Sequence, residues 1–302
     1  MNVLYVVTRN EAALLRLNIE HHLAWGFDHV AVADNDSDDA TPDVISEFRG
    51  AVTSISLRDP DDRLTALPPL VQRIEAKHGP ASWVAVSDTD EFWWHPGPDL
   101  RATLARLPSE VIGLNTAQKL FLPTALDPSD GPVHCRLVYR TSGPESPLHS
   151  SYREGKSIYR ASWARAHVLR NPHWCESIPR RLWRSTARPM IHHYMIDRED
   201  SFIQKVLSLE RWDPAVRASA PAADHRAAAA RFGVEKMAWW RLYEERGEAG
   251  LRDHYQNHYV IGADALERHL RRGDLVEDRR FAEIMRARAD DSASGPPDPA
   301  SR

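Results

Sequence analysis

The strongest constraint on this chain is a repeated order in its N-terminal third, where short β-branched runs alternate with residues at helical spacing. Val3 to Val7, His29 to Ala33, Val52 to Leu57 and Trp83 to Ser87 read as four strands. Between the first two, Leu14, Leu15, Ile19 and Leu23 recur on one helical face, with Asn10 as the expected cap and Gly26 as the stop. Thr41-Pro42 supplies a cap and a first-turn proline for the next helix, and Leu67 to His78 reads as another. Strand, helix, strand in this order predicts βαβ units and a mainly parallel α/β sheet.

Polar clusters follow three of these strands: Thr8-Arg9-Asn10-Glu11, Asp34 to Asp39, and Asp88-Thr89-Asp90-Glu91. All three fall at the carboxyl edge, which is where open α/β sheets bind ligands. The last cluster is the most chemical of the three. Asp88 and Asp90 are hard oxygen donors one residue apart, so a chain leaving a buried strand can aim both at one divalent ion or its waters. Mg²⁺ and Mn²⁺ favour such a site when phosphate oxygens of a ligand complete the shell. The competing reading is a solvated acidic turn, and it loses ground because the three clusters coincide.

At 302 residues the chain is long enough for one substantial domain plus an extension. A net charge of −4 without a dense basic stripe argues against a nucleic-acid binder. Its two cysteines, Cys135 and Cys175, are too few for a disulfide framework or a thiolate zinc site, which favours a reducing compartment. No apolar run approaches the about 18 residues that span a bilayer, and no signal segment is visible, so a soluble cytoplasmic protein is expected.

Farther on, Val111 to Leu114 and Arg136 to Tyr139 look strand-like, with Ser142 to Pro147 as a loop that could cover a site. Ser201 to Leu209 and Glu235 to Arg246 read as helices in an Ala-rich region, and the Pro, Ser and Gly of the last residues read as a disordered tail.

The ordered set Thr8-Arg9-Asn10-Glu11, His21-His22, Trp25 to His29, Asp34 to Asp39 and Ser87 to Phe92 resembles glycosyltransferase family 2-like proteins, in the branch related to family 92. Gly155 to Arg160, His167, and His193-Tyr194 followed by Phe202 and Lys205 continue the match, which covers roughly residues 1 to 210. The pattern departs before the paired histidines, where Ile19-Glu20 stands in place of an acidic residue and Trp.

The resemblance implies a GT-A fold: a Rossmann-like sandwich over 1–210, a mainly helical extension over 211–290 and a tail over 291–302. It implies a DxD element holding Mn²⁺ or Mg²⁺, a nucleotide-diphosphate sugar as donor, a UDP-sugar first among them, and inverting transfer to a hydroxyl on a glycan or small molecule. On this reading Thr8, Arg9, Glu11, Asp34 and Ser37 face the nucleotide base and ribose. Asp90 and Asp88 are the metal ligands, with Asp88 also able to reach ribose, and His193 is a third ligand for which His192 competes. Lys156 and Arg160 add positive charge near the diphosphate. For the base, three carboxylates compete: Glu176 beside Trp174, Glu91 and Asp197. Two other chemistries use similar residues: a metal-dependent phosphohydrolase or nucleotidyltransferase, and a nucleotide-sugar binder without catalysis.

Overall fold

The computed structural model describes residues 1–57, 64–94, 99–143, 146–148, 156–166, 178, 182–211 and 226–293. Strands β1 (Asn2–Thr8), β2 (His29–Asp34), β3 (Val52–Ser56) and β4 (Trp83–Asp88) run parallel in the order β3-β2-β1-β4. Their near-continuous apolar composition follows from burial on both faces.

Period-two alternation divides the side chains between two layers. Leu4, Val6, Val30, Val32 and Ala85 pack with Leu15 and Ile19 of α1 (Ala12–Trp25), Val44 of α2 (Thr41–Glu47) and Leu100 and Leu104 of α4 (Leu100–Ala105). Val3, Tyr5, Ala31, Ala33, Val84 and Val86 pack instead with Leu67, Leu70, Val71 and Ile74 of α3 (Leu67–His78) and with Ala161 and Ala164 of α6 (Ala161–Ala166). Gly26 ends α1 as expected, at φ 119° in the left-handed region.

Beyond β4 the sheet departs from the mainly parallel expectation. β8 (Ser157–Arg160) is antiparallel to both β4 and β6 (Gly113–Leu120), β9 (Trp183–His193) is parallel to β6, and β5 (Glu91–Trp94) closes the sheet antiparallel to β9. Only Thr89 and Asp90 separate β4 from β5, too short a link for a parallel crossover. β5 therefore leaves β4 and becomes the far edge.

Three local expectations change. Asn10 does not cap α1: it adopts φ 52° and exchanges hydrogen bonds with Asp38, donating Nδ2 to Oδ1 (2.6 Å) and accepting from Asp38 N at Oδ1 (2.9 Å). Ala40, not Thr41, occupies the cap position of α2, and Thr41 Oγ1 accepts the Glu11 amide instead (3.3 Å). The strand-like run from Arg136 divides between α5 (Val133–Arg136) and β7 (Tyr139–Thr141), because Arg136 is drawn into a buried ion pair with Asp197 (2.8 Å).

In the helical part, α7 (Glu199–Leu207) packs Phe202, Ile203 and Val206 against Trp239, Leu251 and Tyr255 of α8 (Arg226–His258), which is broken at Gly247. The expected boundary near residue 210 thus falls between two helices that share one core. After α9 (Ala263–Arg272), β10 (Leu275–Glu277) pairs antiparallel with β7, and Phe281 of α10 (Arg280–Ala293) enters an aromatic core with Phe92, Trp94, Phe121 and Tyr194. The loop after β7 is tied to Asp274, whose carbonyl accepts from Ser142 N (3.1 Å) and Ser146 Oγ (2.8 Å). No described helix is long and apolar enough to cross a membrane. The tail expected from residue 291 begins inside α10, and 294–302 lie outside the described residues.

Candidate active site

The site is organised by the turn between β4 and β5. Sheet register places Thr8 beside Asp34 and Val7 beside Asp88, so the first two polar clusters and the acidic one share a single edge. Across the turn, Glu91 lies opposite His193 of β9, and β6 sets Leu120 beside the same histidine.

The turn itself is held from several sides. Asn18 of α1 donates Nδ2 to the carbonyls of Thr89 (2.9 Å) and Glu91 (3.0 Å), Thr89 Oγ1 donates to Val7 O (3.1 Å), and Tyr194 N donates to Asp90 O (2.9 Å). One turn farther along α1, Trp93 N donates to His22 Nε2 (3.0 Å), and His21 Nε2 meets Trp93 O (2.7 Å). An edge strand has unpaired backbone groups, and here Asn18, His21 and His22 satisfy those of β5. The paired histidines are thus supports for the acidic turn.

Each acid of the Asp-x-Asp pair carries a lysine. Lys156 Nζ lies 2.6 Å from Asp88 Oδ2 and 3.2 Å from Glu91 Oε2, and Lys205 Nζ lies 2.5 Å from Asp90 Oδ2. Asp88 is the open acid, 55% exposed, whereas Asp90, Glu91 and Lys156 are buried. Glu91 Oε2 also accepts the Asp88 amide (2.9 Å), so this carboxylate fastens the turn rather than lying open to an acceptor hydroxyl.

Electrostatics follow the pairing. Burial alone drives Asp90 towards the neutral acid, but Lys205 and His193 outweigh it and hold the carboxyl well below the usual carboxylate range. Burial pushes Glu91 up to about 7 against the pull of Lys156, and Glu11 up to about 7 against the pull of Lys205. Burial lowers both lysines and His193, yet the facing acids raise all three above their ordinary values.

A divalent ion fits one corner of this cluster. Asp90 Oδ1 is buried without a hydrogen bond and faces His193 Nε2 at 3.4 Å, so these two would be the residues to hold a divalent ion. On the far side of the ring His193 Nδ1 meets the Gln118 side-chain amide. For Nε2 to ligate, Nδ1–H has to donate to the oxygen of that amide, which its flipped orientation supplies. Among the described residues no group of three or more His, Cys, Asp or Glu is arranged to hold an ion by itself. Phosphate oxygens and water would complete the shell.

Other buried polar atoms at the ends of β1 and β2 also lack partners: Thr8 Oγ1, Arg9 Nη1 and Asn35 Oδ1. Buried polar atoms are normally satisfied, so a row of them at a sheet edge marks where a polar ligand belongs.

Of the residues named from sequence, the structure brings Thr8, Asp34, Asp88, Asp90, Glu91, Lys156 and His193 together, with Glu11 near enough to Lys205 and Asp90 to feel their charges. Ser37 is spent on its own loop: its hydroxyl donates to Asp34 Oδ1 (2.5 Å) and accepts from Asn10 N (3.0 Å). Arg160 lies beside Trp83 at the opposite end of β4, where it donates to the carbonyls of Val111 and Pro108, which sets it apart from the acidic turn. Asp197 Oδ2 already accepts from Arg136 Nη2 (2.8 Å) and Arg198 Nε (3.2 Å), which ties it to two guanidinium groups away from the acidic turn. His192 points away from the acids into the aromatic core. Glu176, Trp174 and His167 lie outside the described residues.

Sequence reading missed Asn18, Asn35, Gln118 and the role of Lys205. Gln118 left a signal, being a polar residue in the buried phase of β6 with Leu114, Thr116 and Leu120. Lys205 belonged to the matching pattern, but nothing local tied it to Asp90, because a lysine on an amphipathic helix ordinarily faces water.

No family model matches the chain, and no curated protein does. Solved structures with a similar chain path include S. aureus TarS 1-349 in complex with UDP-GlcNAc, with TM-score 0.41 and 12% identity over 85% of this chain and 73% of that one. Mannosyltransferase PcManGT from Pyrobaculum calidifontis in complex with GDP-Man and Mn²⁺ gives TM-score 0.36 and 14% identity over 98% and 81%. Mannosyl-3-phosphoglycerate synthase from Rubrobacter xylanophilus gives TM-score 0.36 and 13% identity over 75% and 79%. Likeness this distant carries no functional argument. The side chains of the site have to carry it.

Proposed function

We propose that this chain is a metal-dependent, inverting glycosyltransferase of the GT-A type, moving a sugar from a nucleotide-diphosphate donor to a hydroxyl acceptor. One observation carries the reading: a row of buried, unpartnered polar atoms at the β1–β2 edge continues into a cluster of paired acids and lysines at the β4–β5 turn. A ligand with a polar head and an adjoining diphosphate matches both halves.

Thr8, Arg9, Asn35 and Asp34 hold the base and ribose, with Glu11 at their border with the acids. Asp90 and His193 hold Mn²⁺ or Mg²⁺, assisted by Asp88, and the ion supplies positive charge where the departing diphosphate gains its negative charge. Lys156 adds a fixed cation beside Asp88. Asp197 and Glu91 are already engaged, so the base role passes to Glu176, which rests on sequence alone. A UDP-sugar is the donor the sequence resemblance favours.

The decisive experiment incubates the protein with Mn²⁺ and a panel of nucleotide sugars. Transfer or hydrolytic release of intact sugar supports the reading. Pyrophosphate release or phosphate-ester cleavage would instead favour a nucleotidyltransferase or phosphohydrolase, and tight nucleotide binding with no turnover a non-catalytic binder.

A further inference from the structure

Lys205 belongs to the helical part of the chain, yet its ammonium sits on an acid of the β4–β5 turn. Helix α7 buries Phe202, Ile203 and Val206 against α8 and turns Lys205 the other way, to Asp90 Oδ2 at 2.5 Å. Its charge also reaches Glu11. The two lysines of the site are not equivalent. Lys156 is 1% exposed and bound between Asp88 and Glu91, whereas the Lys205 side chain is 33% exposed and has one acid in direct contact.

A divalent ion held by Asp90 would repel the ammonium already on that carboxylate at close range in a poorly screened site. Lys205 has a flexible four-carbon stem and a free side to swing towards. An anion arriving beside the ion gives it a destination. The ion brings two positive charges and a nucleotide diphosphate at least two negative ones, so the pair leaves the site nearly balanced, while either alone does not.

We propose that Lys205 is the resident counter-ion of Asp90, displaced by the divalent ion and transferred to the donor's diphosphate, so that ion and donor bind as a coupled pair. The inference rests on the donor-site reading above. Because coupling between two ligands is reciprocal, each tightens the other by the same factor. Lys205 is then a switchable contact, and Lys156 a permanent one.

The test uses the full chain, with Mn²⁺ binding followed by electron paramagnetic resonance and UDP or GDP binding by calorimetry. In the wild type, saturating nucleotide should tighten Mn²⁺ at least about tenfold. Lys205→Met should bind Mn²⁺ alone roughly tenfold tighter, because the competing cation is gone, and should bind nucleotide in the presence of Mn²⁺ roughly tenfold more weakly. Lys205→Arg keeps the charge and should retain much of the coupling. Lys205→Gln carries the same expectation as the methionine variant should that one fail to fold. Unchanged or weaker Mn²⁺ binding by the neutral variants, with the wild type binding both ligands, overturns the role of Lys205 and leaves the donor site standing. A wild type that binds neither nucleotide overturns the donor-site reading together with the inference.

Discussion

His192 and His193 are neighbours on β9, the first fully buried and the second 13% exposed, and the fold treats them in opposite ways. His193 faces Asp90 and Gln118, and its pKa is raised above the usual imidazole value although burial works to lower it. His192 packs against Trp94, Phe121 and Phe281 with neither ring nitrogen hydrogen-bonded, and burial drives it down to about 3. Alternation along a strand sends successive side chains to opposite faces, so one residue of register separates a charged site from an aromatic core. Burial does not determine ionisation by itself. The outcome depends on whether a counter-charge waits on the same face.

The largest effect should come from the acid side of this contrast. Asp90→Asn removes the charge that Lys205 and His193 face, and metal-dependent donor binding and turnover should fall by roughly 100-fold or more with the fold intact. Normal turnover by a folded Asp90→Asn protein would reject the metal assignment.

Next in size is the lysine beneath it. Lys156→Met strands Glu91 as a buried acid without its cation, and breaking such a pair costs about 3–5 kcal/mol. Denaturant melts at neutral pH would detect it, and a loss under 1 kcal/mol would show that Glu91 takes up a proton in place of its cation.

The histidines provide the paired test. His193→Ala should weaken Mn²⁺ binding by about 10–100-fold, whereas His192→Leu, which breaks no hydrogen bond, should change it less than about twofold and stability by about 1 kcal/mol. Equal effects on Mn²⁺ binding would erase the distinction between the two faces.

The smallest effect is a change of slope. Glu91 titrates near 4.5 when unfolded and at about 7 when folded, so the folded state holds its proton more tightly. Stability from this group is complete below about 4.5 and is lost as pH rises through about 7. Glu91→Gln cannot ionise, so its stability should decline less than the wild type's across that window. An unchanged slope in pH-resolved melts would mean that Lys156 keeps Glu91 ionised.

Much of this architecture is written locally. β1 to β4 and α3 appear where β-branched runs and helical spacing placed them, because central parallel strands are buried on both faces and their composition shows it. The polar ends of β1, β2 and β4 were equally legible. The second half of the sheet was not, since β5, β8 and β9 pair with strands remote in sequence and carry no mark of their partners. Arg136 illustrates the limit: its β-like neighbourhood yields to an ion pair with Asp197 formed only when α5 and the start of α7 meet.

The amino-acid sequence by itself determined that acids and hydroxyls gather at one sheet edge, because strand ends and side-chain period are local patterns and βαβ units align those ends. Tertiary structure alone decided which histidine faces those acids, and that a lysine of α7 reaches Asp90 across 115 residues of chain. Register between strands and the docking of a helix are set by packing of remote apolar surfaces, and no local pattern records where such surfaces meet.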